Sequence, residues 1–147
     1  MKNKGPSVFT LKAMNFVHRS VIFLTFGRIG WQAAKMPVIE LVTTGRKSGR
    51  NRSVMLTSPH QQDASLLIVA SKGGSDTPPE WFLNIEKESK VRVRIEGASS
   101  IEMRAEVLDG IERDQLWPAI TSKFPNYGDY QSKTSRVIPL VFLHPVS

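Results

Sequence analysis

Between Thr43 and Ser53 the chain reads TTGRKSGRNRS, with Arg46, Lys47, Arg50 and Arg52 inside seven positions. Four like charges so close repel one another, so an anion among them would relieve the strain. Arginine grips phosphate or carboxylate through a planar fork, and lysine adds a point charge. Gly45 and Gly49 allow a tight connection whose backbone N–H groups can converge on an anion. A solvated hairpin tip is the plain alternative. Charge alone leaves a nucleic acid, a lipid surface and a cofactor phosphate open.

A second candidate is Ser71-Lys72-Gly73-Gly74, which follows an apolar run and so sits at a strand end, where ligands commonly approach. Its glycines permit close backbone approach, although a plain turn would look the same. Trp81 and Asn84 lie about one helical turn apart, offering a flat ring and an amide on one face. A tryptophan there more often serves the core. Elsewhere the catalytic inventory is thin. His18, His60 and His144 are scattered, none with a second ligand at metal spacing, so no metal is expected. No G-x-S-x-G elbow, G-x-G-x-x-G fingerprint or G-x-x-x-x-G-K-[ST] loop occurs. A strong anion site with few catalytic side chains suits a protein whose cofactor carries the chemistry.

The elements that must position these residues are legible in the apolar pattern. Val38–Val42, Val54–Thr57 and Leu66–Ala70 read as strands, the last fully buried. Pro78-Pro79 opens a short helix with Trp81, Phe82 and Ile85 inward and Glu86, Lys87 and Glu88 toward water. Val91, Val93 and Ile95 alternate with charges, as do Ile101, Met103, Ala105 and Val107, which predicts a hairpin with one wet face. Asp109 and Glu112 form a capping-box-like start to a helix that Pro118 should kink. FPNYGDYQSKTSR reads as a loop, and Val137–Leu143 as a last strand, edge or bulged because of Pro139. Val8–Phe26 reads as a long helix, apolar almost all round and ended by Gly27 and Gly30. It would pack on the sheet, or lie on a membrane with Lys12, His18, Arg19 and Arg28 toward anionic lipid heads. About six mostly antiparallel strands with a long N-terminal helix and two short helices make an α+β, mainly β, fold.

The bulk numbers agree with one domain. The chain has 147 residues and no cysteine, which excludes disulfides, thiolate metal sites and cysteine nucleophiles. This fits a reducing cytosol. The net charge of +7 favours anionic partners of any size. Nucleic acid is not expected, because aromatics do not interleave with the basic run and no recognition motif appears. The longest unbroken apolar run, Leu66 to Ala70, is too short to span a bilayer.

Taken in order, TTGRKSGRNRS, VASKGG, PEWFLNI, LWPAI, FPNYGDYQSKTSR and IPLV resemble the deazaflavin-dependent nitroreductase family, from about Gly30 to Leu143. Each piece is weak alone, and the ordered set is specific. The resemblance implies a split β-barrel related to FMN-binding proteins, with residues 30–147 as the deazaflavin-binding domain and 1–29 as a membrane- or substrate-facing helix. It implies coenzyme F-420, with FMN as the alternative cofactor, and a quinone or nitroaromatic as hydride acceptor. It implies a cytoplasmic enzyme at the inner face of the cell membrane, and says nothing of oligomeric state. By the same resemblance, Arg46, Lys47, Ser48 and Arg52 hold the phosphate and glutamate tail, and Ser53, Val54 and Met55 pass their backbone under the ring. Ala70, Ser71 and Lys72 meet the ring's polar edge, and Trp81 and Asn84 the ring and ribityl chain. Tyr127 and Tyr130 resemble the substrate-side tyrosines, and one of them, or Ser71, would donate to the acceptor oxygen. Phe124 and Thr57 stand where relatives often carry tyrosine, which leaves less polar help for a substrate anion.

Overall fold

The computed structural model describes residues 32–33, 36–96 and 98–146. The helix expected over Val8–Phe26 lies outside them. The described elements begin with β1 (Gln32–Ala33), β2 (Met36–Thr44) and β3 (Asn51–Thr57). Next come β4 (His60–Gln62), β5 (Ser65–Val69), a short 3-10 turn (Lys72–Gly74) and α1 (Glu80–Lys87). The chain ends with β6 (Lys90–Ile95), β7 (Ile101–Val107), α2 (Gly110–Lys123), α3 (Asn126–Ser132) and β8 (Leu140–Pro145). The strands form one sheet in the order β2-β6-β7-β8-β5-β4, and β1 and β3 also pair with β2. All these pairings are antiparallel, and the sheet curls into a half-barrel.

The core has two parts because the central strands are covered on both faces. Leu66, Ile68 and Ala70 point into a cluster with Trp81, Phe82 and Ile85, under α1. Leu67 and Val69 point the other way, toward Ile120, Phe124 and Tyr127, under α2 and α3. β8 repeats the division: Val141 and Leu143 join the first cluster, Leu140 and Phe142 the second. Alternate side chains of a strand face opposite ways, so a strand buried on both sides must be apolar throughout. This explains the unbroken apolar run at Leu66–Ala70. Each such buried aliphatic contributes about 1.5–3 kcal/mol.

The expected hairpin is β6–β7, with Val91 opposite Met103 and Arg92 opposite Glu102. Val91, Val93 and Met103 are buried, as the alternation requires. Ile101 and Val107, the first and last residues of β7, lie at the rim and stay 46% and 41% exposed. On the wet face Lys90 Nζ approaches Glu102 Oε1 to 3.8 Å, an exposed pair worth at most about 1 kcal/mol.

Three expectations need correction. Two further strands appear, β1 and β4; two and three residues long, they have no room for a periodic signal. FPNYGDYQSKTSR is not a loop, because Asn126–Ser132 forms α3. Its local propensity is poor, with Gly128 at its middle, but packing of Tyr127 into the second cluster overrides propensity. The last strand starts at Leu140, not Val137. Ile138 N donates to Gln131 Oε1 at 2.9 Å and Ile138 O accepts from Arg113 Nε at 3.0 Å. Those backbone groups are therefore spent on side chains, and Pro139 has no N–H for a ladder. As expected, a helix follows Asp109: α2 carries Pro118 inside it. At its start Asp109 Oδ1 accepts from Glu112 N at 2.8 Å, which is the expected cap.

Candidate active site

The basic run is the connection between β2 and β3. Gly45 N donates to Arg50 O and Gly49 N to Gly45 O, each at 2.8 Å. Gly49 has φ +72°, and a Cβ on Gly45 would lie 2.8 Å from Ser48 Oγ, so both positions favour glycine. Ser48 Oγ accepts from Arg50 N at 3.2 Å. Arg46 N donates to Asn84 Oδ1 at 3.1 Å. Three loop amides thus close the loop on itself and a fourth, Arg46 N, ties it to Asn84.

The loop is docked on one face of α1. Glu80, Asn84 and Lys87 follow one another at four and three residues, so they share a face. Asn84 Oδ1 also accepts from Arg46 Nη1 at 3.0 Å, and its Nδ2 donates to the buried Thr43 Oγ1 at 3.1 Å. Lys87 Nζ donates to Arg46 O at 2.8 Å. Glu80 Oε2 pairs with Arg46 Nη1 at 2.7 Å. The hydrogen bond from Arg46 holds the Glu80 carboxyl below its usual pKa, against its partial burial, and Lys72 and Lys47 add to the effect. Lys47 and Lys72 come from separate loops, so the two candidate anion sites meet near Glu80. Lys47, Arg50 and Arg52 are exposed, and no hydrogen bond or ion pair engages their side chains among the described residues.

The turn after β5 is held in an uncommon backbone shape. Lys72, Gly73 and Gly74 have φ of 46°, 63° and 88° in succession. A non-glycine residue in the left-handed region is uncommon and tends to mark a functional turn. A Cβ on Gly74 would lie 2.6 Å from Tyr130 O, so the turn packs directly against α3. Arg136 clamps it. Its Nε donates to Ser75 O at 2.7 Å, and its Nη2 to Ser71 O at 2.9 Å. Both terminal nitrogens reach Ala70 O, at 3.3 and 3.2 Å. Burial lowers the guanidinium's pKa and Asp76 opposes the shift. Ser71 is only 8% exposed, and its hydroxyl meets no partner among the described residues.

Tyr127 and Tyr130 stand on α3 with ring centroids 6.0 Å apart, edge to face. The Tyr127 hydroxyl lies 3.0 Å from Thr57 Oγ1 and 3.4 Å from Met36 Sδ. Burial raises the Tyr127 pKa from 10.0, the Thr57 hydrogen bond opposes this, and Tyr130 adds to the rise. Tyr130 is half-buried, and its hydroxyl is not bonded among the described residues. Thr57, at the end of β3, therefore caps Tyr127, and Phe124 is core.

The other expected site residues divide by environment. Arg52 and Ser53 are exposed on β3, Val54 is half-buried and Met55 is buried. Among the described residues β3 pairs with β2. Ala70 is buried, its N–H bonded to Pro139 O and its carbonyl taken by Arg136. Trp81 is core. Asn84 is spent on Thr43 and Arg46, so it positions the loop. Sequence reading missed Glu80, Gln131 and Arg136. Glu80 and Asn84 at i and i+4 beside an apolar face carried a faint signal. Arg136 carried none beyond ending the FPNYGDYQSKTSR run.

Comparison with known proteins decides the family. Residues 17–145 match the family described as F420H(2)-dependent quinone reductase. The chain belongs to that family. It is an oxidoreductase whose cofactor is coenzyme F-420, and it passes hydride to a quinone. A Mycobacterium tuberculosis F420H(2)-dependent quinone reductase is 35% identical over 131 residues, covering 86% of this chain and 87% of the relative. A solved F420-H2 dependent reductase, FDR-A, is 33% identical with TM-score 0.64, over 74% of this chain and 94% of its own. A solved domain-swapped dimer is 30% identical with TM-score 0.67, over 90% and 99%. The residues of this family member fit a polyanionic deazaflavin. Lys47, Arg50 and Arg52 are exposed cations, Lys72 is near, and the buried Ser71 hydroxyl is unpartnered among the described residues.

Arg136→Met should cost at least about 1.5–3 kcal/mol, the scale of one hydrogen bond to a charged group, read from urea unfolding. Arg136→Lys should recover only part, since an ammonium cannot span carbonyls of three residues. The raised Tyr127 pKa has a definite sign. Its stabilisation is complete below the ordinary tyrosine value and is lost as pH rises through the folded value. Thermal unfolding from pH 8 to 11 should show an alkaline loss of stability that shrinks in Tyr127→Phe. An identical alkaline profile in that variant would refute the assignment.

Proposed function

We propose that this chain binds coenzyme F-420 where the β2–β3 loop, the turn after β5 and α3 meet, within a split β-barrel related to FMN-binding proteins. The observation that carries the reading is the convergence of Arg46, Lys47 and Lys72 around Glu80. Three cations from two loops far apart in sequence build one positive patch. Such a patch suits a cofactor bearing a phosphate and several carboxylates.

When bound, the deazaflavin supplies the hydride. The chain's own residues do the rest. Lys47, Ser48 and Arg52, with Arg46 behind them, hold the phosphate and glutamate tail. Ser53–Met55 pass their backbone under the ring. Arg136 fixes the Ser71–Gly74 turn so that the Ser71 hydroxyl faces the acceptor. Ser71 and Tyr130 donate to the acceptor oxygen on which charge grows, and Tyr127 braces α3. A quinone is favoured over a nitroaromatic. The Thr57 hydroxyl is turned to Tyr127 at 3.0 Å, and Phe124 brings no hydroxyl. Residues 1–29 place Lys12, His18, Arg19 and Arg28 among Phe9, Phe16, Phe23 and Phe26. That composition suits peripheral contact with the inner face of a membrane, where lipid-soluble quinones reside.

Fluorescence titration tests the binding mode. The protein should bind F-420, and Lys47→Glu or Arg52→Glu should weaken it by about tenfold or more, as for loss of a charge-assisted contact. Ser71→Ala should lower turnover with menadione by more than it weakens F-420 binding. Binding of FMN with no binding of F-420 would sink the reading. For the membrane, the full chain should cosediment with anionic vesicles and not with zwitterionic ones. Removal of residues 1–29 should abolish this, and undiminished cosedimentation would overturn it.

A further inference from the structure

Glu80 is out of place in a site for anions. Its side chain is 72% exposed, yet its carboxylate sits 2.7 Å from Arg46, in a patch shared with Lys47 and Lys72. The loop does not need this pair to keep its shape. Arg46 is already anchored through its backbone N–H and Nη1 to Asn84, and its carbonyl accepts from Lys87. An exposed ion pair adds little to stability. A carboxylate here therefore does two things against binding. It occupies the arginine, and it lowers the positive potential that the incoming anion meets.

The chemistry of the cofactor gives such a residue a use. A hydride carrier that is spent at each turnover must leave and be replaced. A site built from cations alone would hold a polyanion too long. A tethered carboxylate acts at an effective concentration on the order of millimolar, so it can retake the arginine as the ligand's anionic group lifts away.

We propose that Glu80 is an internal competitor for the cofactor's anionic groups: it holds the Arg46 guanidinium, yields it when a phosphate or glutamyl carboxylate arrives, and retakes it on release. The inference rests on the F-420 reading above. The exchange needs only side-chain movement, because the bond from Arg46 N to Asn84 Oδ1 keeps the loop backbone fixed. No covalent step is involved.

The test uses the full chain, F-420, and inorganic pyrophosphate as a bare anion. Glu80→Gln keeps the side chain's shape and removes its charge. Its F-420 dissociation constant should fall about two- to fivefold, the scale of an exposed ion pair, and most of the change should appear as slower dissociation in stopped-flow fluorescence. Pyrophosphate affinity, read by calorimetry, should rise by a similar factor. On an Arg46→Gln background the same substitution should lose most of its gain. Unchanged or weaker binding in Glu80→Gln, or a gain that persists in full without Arg46, overturns the proposal. Failure of F-420 to bind, with pyrophosphate still tighter in Glu80→Gln, removes the cofactor reading and leaves the competitor standing. Binding of neither anion removes both.

Discussion

Asn84 Oδ1 accepts from the amide and guanidinium of Arg46 while its Nδ2 donates to Thr43 Oγ1, so a helix, a loop and a strand are satisfied at one buried point. Each of these groups would cost about 1–3 kcal/mol if buried without its partner. The amide can meet them all only when α1 lies across the end of β2 at one height and one rotation. That placement sends Trp81, Phe82 and Ile85 into the first core cluster. It also brings Glu80 and Lys87 to the same loop. The position of the basic loop is thus set by the packing of a helix, and the packing by a hydrogen-bonded amide.

On the other side of the site, charge is divided between two tasks. Arg136 and Arg113 are structural cations. Arg136 gathers the carbonyls of Ala70, Ser71 and Ser75, while Arg113 reaches Ile138 O and Gln131 and stacks 4.0 Å over Trp117. Their donors are consumed by the fold. Lys47, Arg50 and Arg52 are exposed and keep theirs for solvent or a ligand. Arg46 is between the two states, since its backbone belongs to the fold and its guanidinium is shared with an exposed carboxylate. A net charge of +7 therefore overstates the charge offered to a partner and hides where it is offered.

How much of this was legible in the chain depends on how local each cause is. The β6–β7 hairpin, the Asp109 cap and the inward face of α1 follow from period and capping, and those were read correctly. The unbroken run at Leu66–Ala70 announced a strand covered on both faces. α3 was unreadable because its helicity comes from Tyr127 in the core and Gln131 bridging to Arg113 and Ile138, contacts with distant partners. β4 was too short and polar to show a period. At the site, the loops carry a local signal and the bonds within them do not. Spacing suggested Asn84 as a ligand group, but its bonds tie it to Thr43 and Arg46. Glycines suggested a tight connection, and Gly45 and Gly49 close it through their own amides.

The strained turn at Lys72–Gly74 brings these threads together. Gly73 and Gly74 take positive φ without steric cost, but Lys72 at φ 46° is strained and needs surrounding contacts to hold it. Those contacts are the Arg136 clamp beneath and α3 alongside, where Gly74 leaves no room for a Cβ against Tyr130 O. Arg136 is itself placed by Gln131, whose Nε2 donates to Arg136 O at 2.8 Å. Gln131 in turn is held by Arg113 on α2. The chain of contacts therefore runs from the second core cluster, through α2 and α3, to the turn that presents Ser71 and Lys72. The loop that presents Lys47 is tied instead to the first cluster through α1. The two halves of the site are anchored in opposite faces of one sheet, and β5 and β8, buried on both sides, are what keep them in register.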